Sequence, residues 1–400
     1  MRRAPSLRGP ALRAPVRRSL ALRALARRTL PRRILARGAL ARLAPILLLA
    51  LAAASVRAEP YIAVQQGFKC SQCHVNPTGG GMRNTFGDVF AQTLMPARHI
   101  DIGAAGAWTG AVNSFIGIGG DLRTDWSLTA VRHQPSSNEF ALQQARIYLD
   151  ASVIPDRLLV YADEQVAPGG ATNEEAYALY WSASHDWYVK AGQMYLPFGF
   201  RLQDQTAYVQ TVSGINMTTP DRGVEVGWLR GPWDAQLDMS NGTAGGAVVG
   251  NGKQFTGQMS FVQRVWRLGL ALDVNNSAAS GRRTAYGVFG GLMTGPIAWL
   301  AEADLVVDHT IPQGSRTAGG LLEADWLISR GQNLKLSAEQ YAPDLSVSIR
   351  RNGQTRWSLV YELTPFQFVQ LRAGIRNYDG IPQVDTQHEQ LYFIELHGFF

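Results

Sequence analysis

The chain has 400 residues with 38 basic and 31 acidic side chains, formally +7, and two cysteines. Residues 1–58 hold 14 of the basic side chains and no acidic one, so the remainder carries 24 basic against 31 acidic groups, a formal −7. The positive excess that phosphate-backbone binding needs is confined to this leader, and nucleic acid is excluded as a partner.

Residues 1–58 read as a cleaved secretion signal: an arginine-studded stretch, an apolar core from Leu43 to Ala54, and Val56-Arg57-Ala58 as a small-residue cleavage site. The core, about 12 residues, is shorter than the roughly 20 that a bilayer-spanning helix needs, and no later apolar run reaches that length. The basic region is long for a signal. A misplaced start codon or an organellar transit peptide would give the same pattern.

Lys69-Cys70-Ser71-Gln72-Cys73-His74 follows, and CxxCH is the attachment pattern of c-type haem. Two thiols at this spacing can form thioethers to the two vinyl groups of one haem, while the adjacent imidazole of His74 reaches the iron. The competing reading is a disulfide beside an incidental histidine. Exposure to the export compartment favours haem. For the distal iron ligand the segment offers Met82, Met95 and His99. Met82 follows three glycines that let the backbone pass close to a ring. Met95 ends a helix expected over 83–94, in which Phe86, Val89, Phe90 and Leu94 recur at helical spacing and Pro96 forbids continuation. Met95 is preferred over Met82, although packing is the ordinary role of either methionine. A methionine ligand raises the haem potential relative to bis-histidine. Residues 59–103 are few for a free-standing cytochrome, so a plug-like placement against a second body is expected, with 104–120 as a linker or the run into a first strand.

From Asp121 to Phe400, segments of about ten residues alternate apolar and polar side chains between turn residues, the signature of a transmembrane barrel. In Trp357–Leu363 the odd positions face lipid. Gln370, Arg372 and Arg376 point inward, and Ile297, Trp299, Ala301, Ala303 and Leu305 form an outward row opposed by Glu302 and Asp304. A soluble sandwich also alternates. Connection lengths decide between them: sixteen strands, from 121–131 to 388–400, are joined by tight turns such as Pro155-Asp156, Gly231-Pro232 and Arg330-Gly331, alternating with longer Gly-, Asn- and Ser-rich loops. Short periplasmic turns, long external loops and an even strand count are what an outer-membrane barrel requires. The reading is therefore an all-β fold, a 16-stranded antiparallel outer-membrane β-barrel at 121–400 preceded by a short, partly helical monohaem cytochrome c segment. Trp181, Trp187, Trp233 and Trp357 suit interfacial girdles.

Two resemblances follow. Gln144–Leu149, Gly192-Gln193-Met194-Tyr195-Leu196-Pro197-Phe198-Gly199 and Asp221–Gly227 resemble segments of the phosphate-selective porin O and P family. The chain as a whole is similar to the fused monohaem cytochrome-porins: CxxCH soon after the signal, then an N-x-x-G-x-x-F element, here Asn84 to Phe90, then a porin. The chain departs from that pattern in placing Asn76-Pro77-Thr78-Gly79-Gly80-Gly81 between the two motifs. The resemblance implies outer-membrane electron transfer, with an extracellular donor such as Fe(II), a periplasmic acceptor such as a soluble cytochrome c, and an iron-oxidase activity. Lumen carboxylates Asp150, Glu225, Glu302, Asp304, Glu339, Glu362 and Glu395 would draw in cations, or would simply balance Arg146, Lys190, Lys335 and Arg372. The competing functions are an anion-selective porin with a structural or regulatory haem plug, and electron export through the same parts. The barrel would contact outer-membrane lipid, and trimerisation, as in many porins, is left open.

Overall fold

The computed structural model describes residues 59–101, 103, 107–310 and 314–400; the leader and residues 104–106 of the expected linker lie outside the described residues. The strands are β1 (Ile116–Val131), β2 (Ser137–Ile154), β3 (Leu158–Ala167), β4 (Thr172–Trp181), β5 (Trp187–Met194), β6 (Asp221–Trp228), β7 (Trp233–Ser240) and β8 (Gln254–Val262). They continue as β9 (Trp266–Asn275), β10 (Arg283–Thr294), β11 (Ile297–Asp308), β12 (Ser315–Ser329), β13 (Gln332–Ala342), β14 (Gln354–Phe366), β15 (Val369–Asp379) and β16 (Glu389–Phe399). Each pairs antiparallel with its chain neighbours, and β1 closes on β16 with Asp121 opposite Phe399. Closure matters because in hydrocarbon every backbone N–H and C=O must find a partner within the protein.

Side-chain alternation sets the two faces. On β9, Trp266, Leu268, Leu270 and Leu272 are exposed on the outside while Arg267, Ala271 and Asp273 are buried within. On β11, Trp299, Ala301 and Ala303 point out and Glu302 and Asp304 in, as the pattern predicts. Exposed Trp187, Trp228, Trp233, Trp266, Trp299 and Trp326 sit beside the tight turns and form a girdle at that end, where amphipathic rings favour the headgroup level. Trp181 does not belong to it. Its ring packs inward on Tyr188 at 5.1 Å, because Tyr177 and Leu179 of β4 also face the lumen and the wall there is aromatic inside as well as outside.

Two segments fill the lumen. The first is the β5–β6 connection, residues 195–220, which folds inward and carries α3 (Tyr208–Ser213) onto β11, β12 and β13. Leu196, Phe198, Phe200, Leu202, Val209 and Val212 bury against Leu300, Val306 and Leu321. Carboxylates of the wall accept its free backbone groups: Phe200 N donates to Glu302 at 2.9 Å and Tyr208 N to Glu339 at 2.7 Å. Asp204 pairs with Arg356 at 2.9 Å and Arg376 at 3.0 Å. The second is the N-terminal segment with α1 (Pro60–Gln66) and α2 (Thr85–Thr93), seated at the tight-turn end.

Candidate functional site

Cys70 opens a single 3-10 turn through Gln72, which brings Cys70, Cys73 and His74 to one side of the segment. His74 pairs with Arg83 across a short antiparallel bridge, and Val75 N donates to Met82 O at 3.0 Å, so residues 75–82 form a hairpin arm. Asn84 then does two things. Its Oδ1 accepts from Gly87 N at 2.9 Å and caps α2, while its Nδ2 donates to the carbonyls of Ser71 (3.2 Å), Gln72 (3.2 Å) and His74 (3.4 Å). One side chain thus starts the helix and holds the cysteine turn to it. Gly87 completes the fit, since a Cβ there would collide with the Cys73 carbonyl. Gly79, with φ of 89°, lies over Cys70, where a Cβ would stand 3.2 Å from the cysteine Cβ. These contacts give the Asn84–Phe90 motif its physical meaning.

A cavity opens beside the turn. Cys70, Cys73 and His74 line one part; Phe68, Phe90, Phe200 and Phe289 supply apolar walls, and Met95 lines it as well. Arg83, Arg201, Arg267 and Lys69 line it together with the carboxylates of Glu59 and Asp234. Burial, then Arg83 and Arg201, push His74 down to about 4, so its ring is neutral at physiological pH, the state that ligates a metal. Burial raises the Cys70 thiol and pushes Cys73 up to about 11. His74 Nδ1 is buried without a well-formed hydrogen bond among the described residues. The donor set of two thiols and an imidazole, on aromatic walls with a rim of mixed charge, suits a flat, largely apolar group bound through sulfur and nitrogen.

The structure separates the three distal candidates. Met95 faces this cavity. Met82 is buried on the opposite side, among Tyr148, Tyr161 and Tyr177, with its backbone N donating to Tyr161 Oη at 3.0 Å. His99 is exposed at the barrel mouth, its Nδ1 at 3.3 Å from the Gln92 carbonyl.

The Asn76–Gly81 stretch is the part that docks the segment to the barrel. Asn76 Nδ2 donates to Glu175 at 2.8 Å and its Oδ1 accepts from Lys190 Nζ at 3.1 Å, all three side chains being fully buried. Arg201 of the inward loop donates to Thr78 Oγ1 at 3.0 Å and to the Gly79 carbonyl, and lies over the Tyr195 ring. Elsewhere Glu59 pairs with Lys335, and Arg267 donates to the carbonyls of Ala63 and Phe68. The lumen carboxylates singled out in the sequence do face inward, but most of them act as clamps. Glu225 pairs with Lys190 at 3.0 Å, and Arg372 lies 3.4 Å from both Glu362 and Glu395. Asp304 differs, its two carboxylate oxygens having no hydrogen-bond partner among the described residues. Sequence reasoning missed Arg201, Arg267, Phe200 and Phe289; the 26-residue span between Met194 and Asp221, unusually apolar for a surface loop, was the available signal for the first and third.

No protein-family model and no curated protein matches the chain. Among solved structures, an anion-selective porin from Comamonas acidovorans superposes with a TM-score of 0.57 at 10% identity, covering 71% of this chain and 99% of that one. The fold is that of the outer-membrane porins. OprB of Pseudomonas putida gives 0.56 at 8% identity over 72% of this chain and 94% of its own. OmpT of Vibrio cholerae, described in its trimer form, gives 0.52 at 10% identity over 71% and 99%. At such identities the likeness to porins concerns the barrel architecture alone.

Proposed function

We propose that this porin-fold chain resides in the outer membrane and transfers electrons through one covalent haem c, held by Cys70 and Cys73 as thioethers and by His74 and Met95 as iron ligands. The observation that carries the reading is the cavity at the cysteine turn, which gathers both thiols, the imidazole, a methionine, four phenylalanines and three arginines from chain positions 68 to 289. When bound, the haem would supply a reversible one-electron couple. The chain's own part is to fix that group. Asn84 and Gly87 set the cysteine turn against α2, the aromatic walls exclude water, and Arg83, Arg201 and Arg267 favour acidic substituents and the more reduced charge state.

In the favoured direction an extracellular donor, with Fe(II) the leading candidate, delivers electrons that leave to a periplasmic carrier. Electron export through the same parts is the reverse case. The anion-porin alternative draws on the row Arg123, Arg372 and Arg376 that lines the vestibule beside Asp204, and on the anion-selective neighbour. It ranks below electron transfer because two segments bind across the lumen. Trimerisation, as named for OmpT, is carried as part of the proposal.

The test is the midpoint potential of purified, detergent-held protein, followed by stopped-flow mixing of the oxidised form with Fe(II). Rapid reduction at a positive potential is expected. A strongly negative potential without reduction would turn the assignment to export or to a structural haem.

A further inference from the structure

We propose that the periplasmic mouth of the barrel, below the cavity, is a docking face for a soluble redox protein with an acidic surface. The inference rests on the haem reading above and names the partner class for it.

The cavity is unequally covered. Toward the long loops it is closed by Phe200 and Arg201 of the inward segment. Toward the tight turns it is one aromatic layer deep: Phe86 of α2 is 48% exposed, and its ring lies 5.6 Å from Phe68 and 5.9 Å from Phe90, both of which line the cavity. Leu94, at the end of the same helix, is 62% exposed. An unpaired apolar patch at the thin wall of a redox cavity is where a partner's own centre comes nearest.

The rim supplies the sign of the charge. Arg98 of the N-terminal segment and Arg230, Arg264 and Arg330 of three tight turns are exposed around the patch. Arg264 abuts Gly67, Arg330 donates to the Thr93 carbonyl at the end of α2, and Lys69 donates to Trp233 O at 2.6 Å beside the Arg230 turn, so these turns border the segment directly. Asp101 and Asp156 are the exposed acidic groups on this side, with Asp186 half-buried. A basic mouth on a chain that is formally −7 after its leader is a local reversal of charge, and such a reversal steers an oppositely charged partner to one face. When bound, the haem would supply one electron, taken up by the carrier's own one-electron centre, with no bond made or broken.

The experiment follows oxidation of the reduced, detergent-held protein by hexacyanoferrate(III), an anion, and by tris(phenanthroline)cobalt(III), a cation, while ionic strength rises from about 10 mM to about 0.5 M. The rate with the anion should fall at least tenfold, within the range of electrostatic steering, and the rate with the cation should rise. The triple variant R98E/R230E/R264E, none of whose residues touches the cavity, should reverse both slopes, and an acidic cytochrome c should outpace a basic one with the parent but not with the triple variant. Leu94→Ala, at a side chain that does not line the cavity, should slow the acidic cytochrome while leaving haem content unchanged. Equal salt slopes for the two probes, or a triple variant that behaves like the parent, would overturn the docking face while leaving the haem assignment standing. A triple variant changed only in its binding to anionic phospholipid vesicles would likewise overturn it, assigning the arginines to lipid headgroups. Absence of covalent haem would instead overturn the reading beneath it.

Discussion

The two segments that enter the lumen differ in how far buried polar contacts hold them. Residues 195–220 lay an apolar face on β11–β13 and use wall carboxylates mainly to satisfy backbone N–H groups. The N-terminal segment also buries apolar groups, Tyr61, Ile62 and Val64 in the same cluster and Met82 among Tyr148, Tyr161 and Tyr177, but adds buried polar keys: Asn76 between Glu175 and Lys190 of the wall, and Thr78 and Gly79 under Arg201 of the inward loop. Apolar burial tolerates small shifts, whereas a buried polar network is stable only if every member is satisfied. The N-terminal segment is thus keyed to the inward loop at Arg201.

The largest test of this contrast removes the cysteines. Cys70→Ser with Cys73→Ser should abolish haem retained through denaturing electrophoresis, while the barrel keeps its heat-modifiable migration; retained haem would sink the assignment. Gly87→Ala comes next. Its new methyl meets the Cys73 carbonyl, an overpacking cost of about 1–3 kcal/mol, and should lower haem incorporation and open residues 59–100 to protease without altering 195–220. Third, Met95→Ala should lower the midpoint potential and remove the sulfur-to-iron absorption band; Met82→Ala should do neither and should destabilise the docked segment instead, by about 2–5 kcal/mol. The reverse result would place the distal ligand on the tyrosine side. Smallest, Arg201→Gln breaks the key between the two segments. Losing charged hydrogen bonds of this kind costs about 1.5–3 kcal/mol, read as faster proteolysis of 59–100 with loop 195–220 still protected; equal exposure of both would show that they move as one.

Much of the wall was legible because membrane strands obey a period of two and sort their turns by length. β11 and β15 show their inward and outward rows where alternation put them, and β13 spans the expected 332–342. Expected and observed strand ends elsewhere differ by a few residues, as at β1, which begins at Ile116 rather than 121. The expected helix at 83–94 spans Thr85–Thr93. Legibility fails where the lumen is lined like a core. Trp181 was read outward since tryptophan favours the interface, yet the N-terminal segment presents Met82 and Val75 to that wall, and an aromatic inner face becomes the favourable one. The cysteine turn, its capping asparagine and its glycine form a local motif and so show in sequence. The cavity's far wall does not: Phe200, Arg267 and Phe289 reach it only through barrel closure, a long-range event that leaves no local pattern.

The pairing of Glu59 with Lys335, 276 residues apart, has a consequence for how the chain is assembled. In a chain exported N-terminus first, the N-terminal segment would emerge before its anchors at Glu175, Lys190, Arg201, Arg267 and Lys335 exist as a surface, since these need the later strands to pair. Contacts of such separation are formed last and slowly. On the proposed haem reading, attachment at Cys70 and Cys73 would therefore precede docking, before the later strands enclose the two thiols.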